Sequence, residues 1–389
     1  MQKLLFLKVV YSREGTNNHL FIAFKIHVIM THYLFVLGRN PDLSLLEILA
    51  YCKRKKIRYS MMDSNEEIAL FDLQGFDENI AIKELGGTVK IARPQPETLN
   101  YKGTKNKIIY AVNYIKADPT QMDKQVKQLL AQEELKGTRR HGKTRKIDPS
   151  KAKNLDYEFI AYRNTLYTTT AVSNPKEYKL RDATRPVYDP LKVISIRLAK
   201  ILINLSEAKR EIFDPFCGTG TILQEALLMD YLVWGVDKEA NPARKNLEWL
   251  EQRYTQIKSH WQVFQGDATD LRKFKVIEAV VTEPYLGPFH LGLPTVQEAE
   301  KIADELRILY RGTLMELAKK VTGKVVIIFP ELKTRSGDIV SLDMYTIITR
   351  SGFKFAPILS SIQNPIPYID KKDKINRYIY ILEKDEKKK

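Results

Sequence analysis

From about residue 190 the chain alternates short apolar runs with amphipathic stretches, and this alternation restricts the fold more than any other feature. Runs that read as strands occupy 211–214, 232–237, 262–265, 279–283 and 324–329, while 241–257 and 296–320 carry apolar residues at helical spacing. Segments 353–360 and 376–382 close the series. Parallel neighbours need a crossover the length of a helix, so repeated strand–helix units give a mostly parallel sheet with helices on both faces. The expected class is α/β, with a doubly wound C-terminal unit over 176–389.

The N-terminal half lacks that rhythm. Strands are expected at 33–37, 67–73 and 89–92, and helices at 44–54, with Asp42 or Ser44 near its start, and at 80–84. That succession suggests a small α+β unit over 30–98, ending at the turn-forming Pro94-Gln-Pro96. A second unit over 99–175 would hold a strand at 108–114, a helix at 122–134, and a hairpin of 159–162 with 166–172 across Arg163-Asn164. Residues 1–29 have short apolar stretches broken by lysine, without the continuous run and small-residue cleavage site of a signal peptide. They are read as a dispensable extension before Met30. No apolar run reaches the roughly 18 residues of a membrane span.

Charge says what such a chain meets. Lysine and arginine number 63 against 47 acids, a formal net charge of +16. That surplus suits a polyanionic partner, because each neutralised phosphate releases counterions. Segment 136–154 concentrates it, with eight basic residues against the single acid Asp148. Arg139, Arg140, Lys143, Arg145 and Lys146 are the candidate phosphate contacts, the alternative being a solvated loop. Only Cys52 and Cys217 are present, without paired spacing, so neither a disulfide framework nor a metal site is expected, and a reducing compartment fits.

The sharpest local signal is Phe213-Asp214-Pro215-Phe216-Cys217-Gly218-Thr219-Gly220-Thr221, which follows a strand and opens a helix. Gly218 and Gly220 can take backbone angles closed to other residues. The free amides at the helix start favour an anion, and Asp214 suits the amino group of a zwitterionic ligand. Alone, this could be a purely structural turn. Asp237 ends the next strand, where a carboxylate can hold both hydroxyls of a ribose. Asp267, followed by Ala268, ends the third and could bind an adenine amino group. Each acid could merely cap a helix; three at successive strand ends face the crevice where ligands bind such sheets. Cys217 reads as a packing residue of the loop.

These residues together resemble a class I, Rossmann-like S-adenosylmethionine methyltransferase with a mostly parallel seven-stranded sheet. Tyr178-Lys-Leu-Arg181-Asp182-Ala-Thr-Arg185-Pro186 and Leu198-Ala199 to Leu205 narrow the resemblance. They are similar to the THUMP-containing tRNA guanosine-10 N2-methyltransferases of archaea and their eukaryotic relative. Tyr33 to Ser44 resembles that family's opening, and Asn376-Arg377 to Leu382 its last strand. The resemblance implies a ferredoxin-like unit over 30–98 and a THUMP-like RNA-binding unit over 99–175. It also implies S-adenosyl-L-methionine as cofactor, tRNA as partner and a cytoplasmic enzyme. A monomer is expected, with room for a small activating subunit.

Members of the family it resembles usually carry Asp-Pro-Pro-Tyr after the fourth strand; here the stretch is Thr282-Glu283-Pro284-Tyr285. A guanine exocyclic amine is a poor nucleophile until its N–H groups are hydrogen-bonded, and an aromatic ring stacks the extruded base. Tyr285 keeps the stacking role and Pro284 the rigid turn. Thr282 offers a neutral acceptor where charged ones bond about twice as strongly, so Glu283 is the expected source of the carboxylate. The alternatives are a catalytically silent tRNA-binding protein and an N-methyltransferase acting on adenine or a protein glutamine. Arg181 and Arg185 are secondary RNA-contact candidates, which could instead orient the linker by ion pairing.

Overall fold

The computed structural model describes residues 5–14, 17–26, 30–141, 148–152, 154–189, 193–255, 257, 260–288, 292–369 and 373–386. Strands β1 (Leu5–Glu14) and β2 (Asn17–Ile26) pair with each other as a separate antiparallel hairpin.

The next segment builds one eight-stranded sheet. Its elements are β3 (Thr31–Leu37), α1 (Pro41–Arg54), β4 (Arg58–Ser64), β5 (Ile68–Gln74), α2 (Glu78–Glu84) and β6 (Thr88–Pro94), then β7 (Lys107–Ile115), α3 (Pro119–Gln132), β8 (Lys136–Arg139), α4 (Pro149–Ala152), β9 (Tyr157–Tyr162) and β10 (Thr165–Val172). Strand order is β4-β5-β3-β6-β10-β9-β7-β8. The two expected N-terminal units thus share a sheet, because β6 pairs antiparallel with both β3 and β10. Helix α1 starts earlier than the sequence suggested. Asn40 is its cap, accepting from Leu43 N at 3.2 Å, and Pro41 needs no hydrogen-bond acceptor in the first turn. The Ser44 hydroxyl instead donates to the Gly87 carbonyl at 3.0 Å.

After α5 (Pro175–Thr184) and α6 (Ile196–Leu205) come β11 (Glu211–Asp214), α7 (Thr221–Leu228), β12 (Leu232–Asp237), α8 (Asn241–Arg253), β13 (Trp261–Gln265), β14 (Val280–Thr282), α9 (Val296–Ala318), β15 (Val325–Lys333), β16 (Ile339–Val340), α10 (Met344–Arg350), β17 (Phe353–Phe355), β18 (Ile366–Tyr368) and β19 (Ile375–Lys384). The main path, β13-β12-β11-β14-β15-β19-β17, has the seven strands expected; β16 and β18 add short flanks. Strands β11 to β15 run parallel and β19 antiparallel. The expected strand over 353–360 stops at Phe355, two residues before Pro357, which cannot donate to a ladder. Strand β11 lies between β12 and β14, so chain direction across the sheet reverses there, opening a crevice at the carboxyl ends of these strands.

The two halves are joined by a buried polar clasp. Glu47 of α1 is fully buried and accepts from Gly86 N and Gly87 N at 2.7 Å and from Asn204 Nδ2 of α6 at 2.8 Å. Arg197 Nε donates to Gly86 O at 2.8 Å beside it. Apolar residues of α1 and α6 belong to one continuous core.

Candidate active site

The glycine-rich loop leaves β11 at Asp214, whose side chain is almost fully buried. Its Oδ1 accepts from Phe216 N at 3.0 Å and from the Thr282 hydroxyl at 2.6 Å. Burial pushes its pKa up to about 7, against the pull of those two hydrogen bonds. Gly218 and Gly220 both have positive φ, +51° and +83°, which lets the loop fold back under α7. A Cβ on Gly220 would also stand 3.3 Å from that of Ala243 on α8.

Asp237 secures the loop from the neighbouring strand. Its Oδ2 accepts from Gly218 N at 2.8 Å and its Oδ1 from Glu239 N at 2.9 Å. Asp267 accepts at Oδ1 from the Thr269 amide (2.9 Å) and hydroxyl (2.7 Å), with Lys238 Nζ 3.2 Å from Oδ2. The Thr269 contacts hold its pKa below the usual range. Ala268 beside it is buried. Cys217 is also buried, which raises its thiol pKa, and it packs on Gly235.

One cleft joins the loop to the fourth-strand motif: Asp214, Phe216, Gly218 and Thr221 line it together with Ile194 and Glu283. Asp237 and Asp267 lie at the next two strand ends, outside its lining. Thr282 is fully buried and spends its proton on Asp214, so it serves the loop. Glu283 Oε1 accepts from Arg377 Nε of β19 at 3.0 Å, and Arg377 Nη1 donates to Asp373 at 2.7 Å. Burial raises the Glu283 pKa while Arg377 pulls it back. Pro284 is buried, and the exposed Tyr285 has its carbonyl pinned by the Tyr310 hydroxyl at 2.6 Å.

The structure corrects the RNA-contact reading of Arg181 and Arg185. Arg181 is buried and bonds both oxygens of Glu225 at 2.9–3.1 Å, and Glu177 at 3.0 Å. Arg185 is buried against Thr221 and Tyr188. A phosphate in solvent reaches neither; the ion-pairing alternative fits both, Arg181 with Glu177 and Glu225 and Arg185 with Asp182 at 3.4 Å. Arg139 is half-buried, bonded to both oxygens of Asp123 and to the Tyr114 hydroxyl. Arg140 is exposed, and Lys143, Arg145 and Lys146 lie outside the described residues.

Two participants were missed in the sequence. Arg377 comes to Glu283 from 94 positions away, with no local signal of the pairing. Asn246 was legible: it interrupts the apolar stripe Ala243, Leu247, Leu250 on the buried face of α8. Its amide donates to Val187 O and Thr219 O, both at 2.8 Å, and accepts from Val187 N at 2.9 Å.

Residues 191–336 match the family UPF0020, described as an RMKL-like methyltransferase domain. The chain is 31% identical over 214 residues to a tRNA (guanine(10)-N2)-dimethyltransferase of Pyrococcus abyssi, covering 54% of this chain and 55% of that protein. It is 37% identical over 131 residues to the Methanothermobacter thermautotrophicus protein of the same name, covering 32% and 36%. The chain therefore spans about half or less of the length of these relatives. The crystal structure of TrmN from Thermus thermophilus aligns with 91% of this chain and 99% of its own, at TM-score 0.51 and 12% identity, a likeness of fold. The resemblance to tRNA guanosine-10 N2-methyltransferases read from the sequence is matched by these relatives over the part of the chain they cover.

Proposed function

We propose that this chain, whose residues 191–336 match the UPF0020 methyltransferase domain, is an S-adenosylmethionine-dependent tRNA methyltransferase acting on the exocyclic N2 of a guanosine, at position 10. The observation that carries the reading is the shared cleft. The buried Asp214 and the glycine loop occupy one wall, and the Glu283 carboxylate stands on the same cleft from the end of β14.

The residues present fit the cofactor. Asp214 is a buried carboxylate whose pKa, raised to about 7, marks it as short of a counter-charge, which the cofactor's ammonium group provides. The loop amides suit its carboxylate and Asp237 its ribose; Asp267 and Ala268 flank the adenine position. Bound, the cofactor supplies an electrophilic methyl group.

The remaining work falls to the chain. A base extruded from its stack lies on the exposed ring of Tyr285, held by Pro284 and the Tyr310 hydroxyl. Glu283 would accept a hydrogen bond from N2–H, localising the nitrogen lone pair, and would hold the proton that N2 gives up; the methyl would come from the cofactor's sulfonium, which would leave as the neutral thioether. Arg377 donates to that carboxylate and opposes the upward pull of burial on its pKa. Thr282 positions Asp214.

The eight-stranded N-terminal sheet and Arg140 supply the tRNA-binding face in this reading. Among the described residues no helix is long and apolar enough to cross a membrane. The reading places the enzyme in the cytoplasm as a monomer, with any activating subunit an addition. Incubation with methyl-labelled cofactor and bulk tRNA, followed by nucleoside analysis, tests it. Label in N2-methyl- or N2,N2-dimethylguanosine is expected. Label in methyladenosine, or none, would favour the adenine-modifying or the silent alternative.

A further inference from the structure

Strand β4 ends the eight-stranded sheet with an apolar edge. Among the described residues only β5 pairs with it, and residues 58–62 are all exposed. Three of these are large and apolar: Tyr59 is 44% exposed, Met61 39% and Met62 54%. Tyr59 and Met61 pair with Leu73 and Phe71 of β5, so they share the α1 face of the sheet, where the Tyr59 ring meets Phe71 edge-on. Tyr59 also lines a groove with Leu46, Leu49, Ile358 and Leu359. Lys324 and Glu207 place that groove at the amino ends of β15 and β11, the opposite end of the sheet from the cleft. The far end of β4 is closed, because Asp63 accepts from the Tyr162 hydroxyl at 2.6 Å and pairs with Arg163 at 2.6 Å. A free edge such as 58–62 is a template for another strand.

The N-terminal hairpin has the complementary deficit. Its register sets Leu5 against Ile26, Leu7 against Phe24, Val9 against Ile22 and Tyr11 against Leu20, while the intervening pairs carry Lys8, Ser12, His19 and Lys25. Cross-strand partners and alternate positions share one side of a ladder, so one side of the hairpin is apolar throughout. A two-stranded ribbon is marginal in water without a third strand or a packed face. Chain direction suits the β4 edge. Strands β3 and β4 both run antiparallel to β5, and β2 ends four residues before β3 begins, so β2 laid beside β4 runs antiparallel to it. The reach suffices too. Thr31 pairs with Leu73 and Leu73 with Tyr59, which puts the start of β3 two strand spacings from Tyr59. A strand beyond β4 lies three spacings away, about 14 Å, and the chain from Ile26 to Thr31 spans up to about 17 Å.

We propose that β2 pairs antiparallel with β4, with Ile26 opposite Tyr59 and Phe24 opposite Met61, adding both hairpin strands to the N-terminal sheet. This register lays the apolar side of the hairpin on the α1 face beside Tyr59 and Met61; a slip of one residue would turn it to the other face. The occupant of the edge is thus this chain's own N-terminal segment. The assignment is independent of the methyltransferase reading.

Disulfide trapping in the full chain tests the register, the native Cys52 and Cys217 being buried. Phe24→Cys combined with Met61→Cys should close an intramolecular disulfide in most molecules under mild oxidation, since opposed strand positions lie within bonding range. Ala23→Cys combined with Met61→Cys, one residue out of register, should close it about tenfold more slowly or less readily still. Equal rates for the two pairs would show a hairpin that is only tethered, and would overturn the proposal, as would no disulfide in either. A disulfide joining two chains through Met61→Cys would give the edge to a second copy and overturn it as well. Amide exchange reads the same contact without added cysteines. Exchange over 58–62 should quicken about tenfold or more in Phe24→Pro, whose backbone cannot donate to a ladder. Exchange equal to that of wild type would overturn the pairing.

Discussion

The Thr282 hydroxyl donates a 2.6 Å hydrogen bond to Asp214 Oδ1, joining the fourth-strand motif to the first-strand loop inside the core. The two residues stand 68 positions apart, and both are buried. The hydroxyl at 282 thus serves the first-strand loop, and in the proposed reading Glu283 is the carboxylate that faces the substrate. Thr282→Val keeps the shape and removes the donor. Its S-adenosylhomocysteine affinity should weaken by about 1.5–3 kcal/mol, the range for a hydrogen bond to a charged group. Calorimetric titration at pH 8 measures it; an unchanged affinity would detach Thr282 from the site.

Asp214 also sets a pH dependence. Its folded pKa of about 7 lies above the ordinary 3.8, so between those values the folded chain holds a proton that the unfolded chain has released. Its contribution to stability is present at acidic pH and is lost as pH rises through about 7. Cofactor binding runs the opposite way, because the ammonium group requires the ionised form. The unliganded melting temperature should decline from pH 5.5 to 8, while S-adenosylhomocysteine affinity climbs over the same range. Glu47, raised to about 7 by burial, contributes to the stability trend in the same direction. Asp214→Asn should flatten the binding profile and only part of the stability profile; a binding profile that stays steep in this variant assigns the titration elsewhere.

The clasp between the halves makes Glu47 the most consequential residue outside the cleft. Glu47→Ala leaves two glycine amides and the Asn204 amide without their acceptor in a buried joint. The expected loss is about 3–5 kcal/mol, read as a lowered urea midpoint. Midpoints for Glu47→Ala and wild type that coincide would show that the joint carries no such strain.

Arg139 and Arg140 are adjacent and should behave differently. Arg140→Ala should lower tRNA affinity and reduce the dependence of log K on log salt by about one unit or less. Arg139→Ala breaks the contacts to Asp123 and Tyr114, so its effect should register in thermal stability. If both variants bind tRNA as wild type does at every salt concentration, this edge of the N-terminal sheet is not an RNA surface.

The C-terminal unit was legible because strands inside a parallel sheet write apolar runs: β11 and β12 match their expected positions, and β13, at the sheet edge, begins one residue earlier than expected. The acids at their ends were legible for the same reason, each closing a run. Strand β4 was not, since residues 58–62 are exposed and carry no buried alternation. Neither was the continuity of the N-terminal sheet, because pairing of β6 with β10 joins residues some 70 or more apart in sequence. The basic residues misled where charge was read without burial: Arg181 and Arg185 look like phosphate ligands in a line of text, yet Glu225 and Thr221 receive them inside the core.

Methyl transfer from labelled cofactor to tRNA, compared between wild type and Glu283→Ala, tests the central assignment most directly. Wild type should place label on guanosine N2. Glu283→Ala should lose roughly two or more orders of magnitude in turnover, the scale of a proton-accepting group, while binding S-adenosylhomocysteine as wild type does. Full turnover in Glu283→Ala, with Arg377 left to Asp373 alone, would contradict the account.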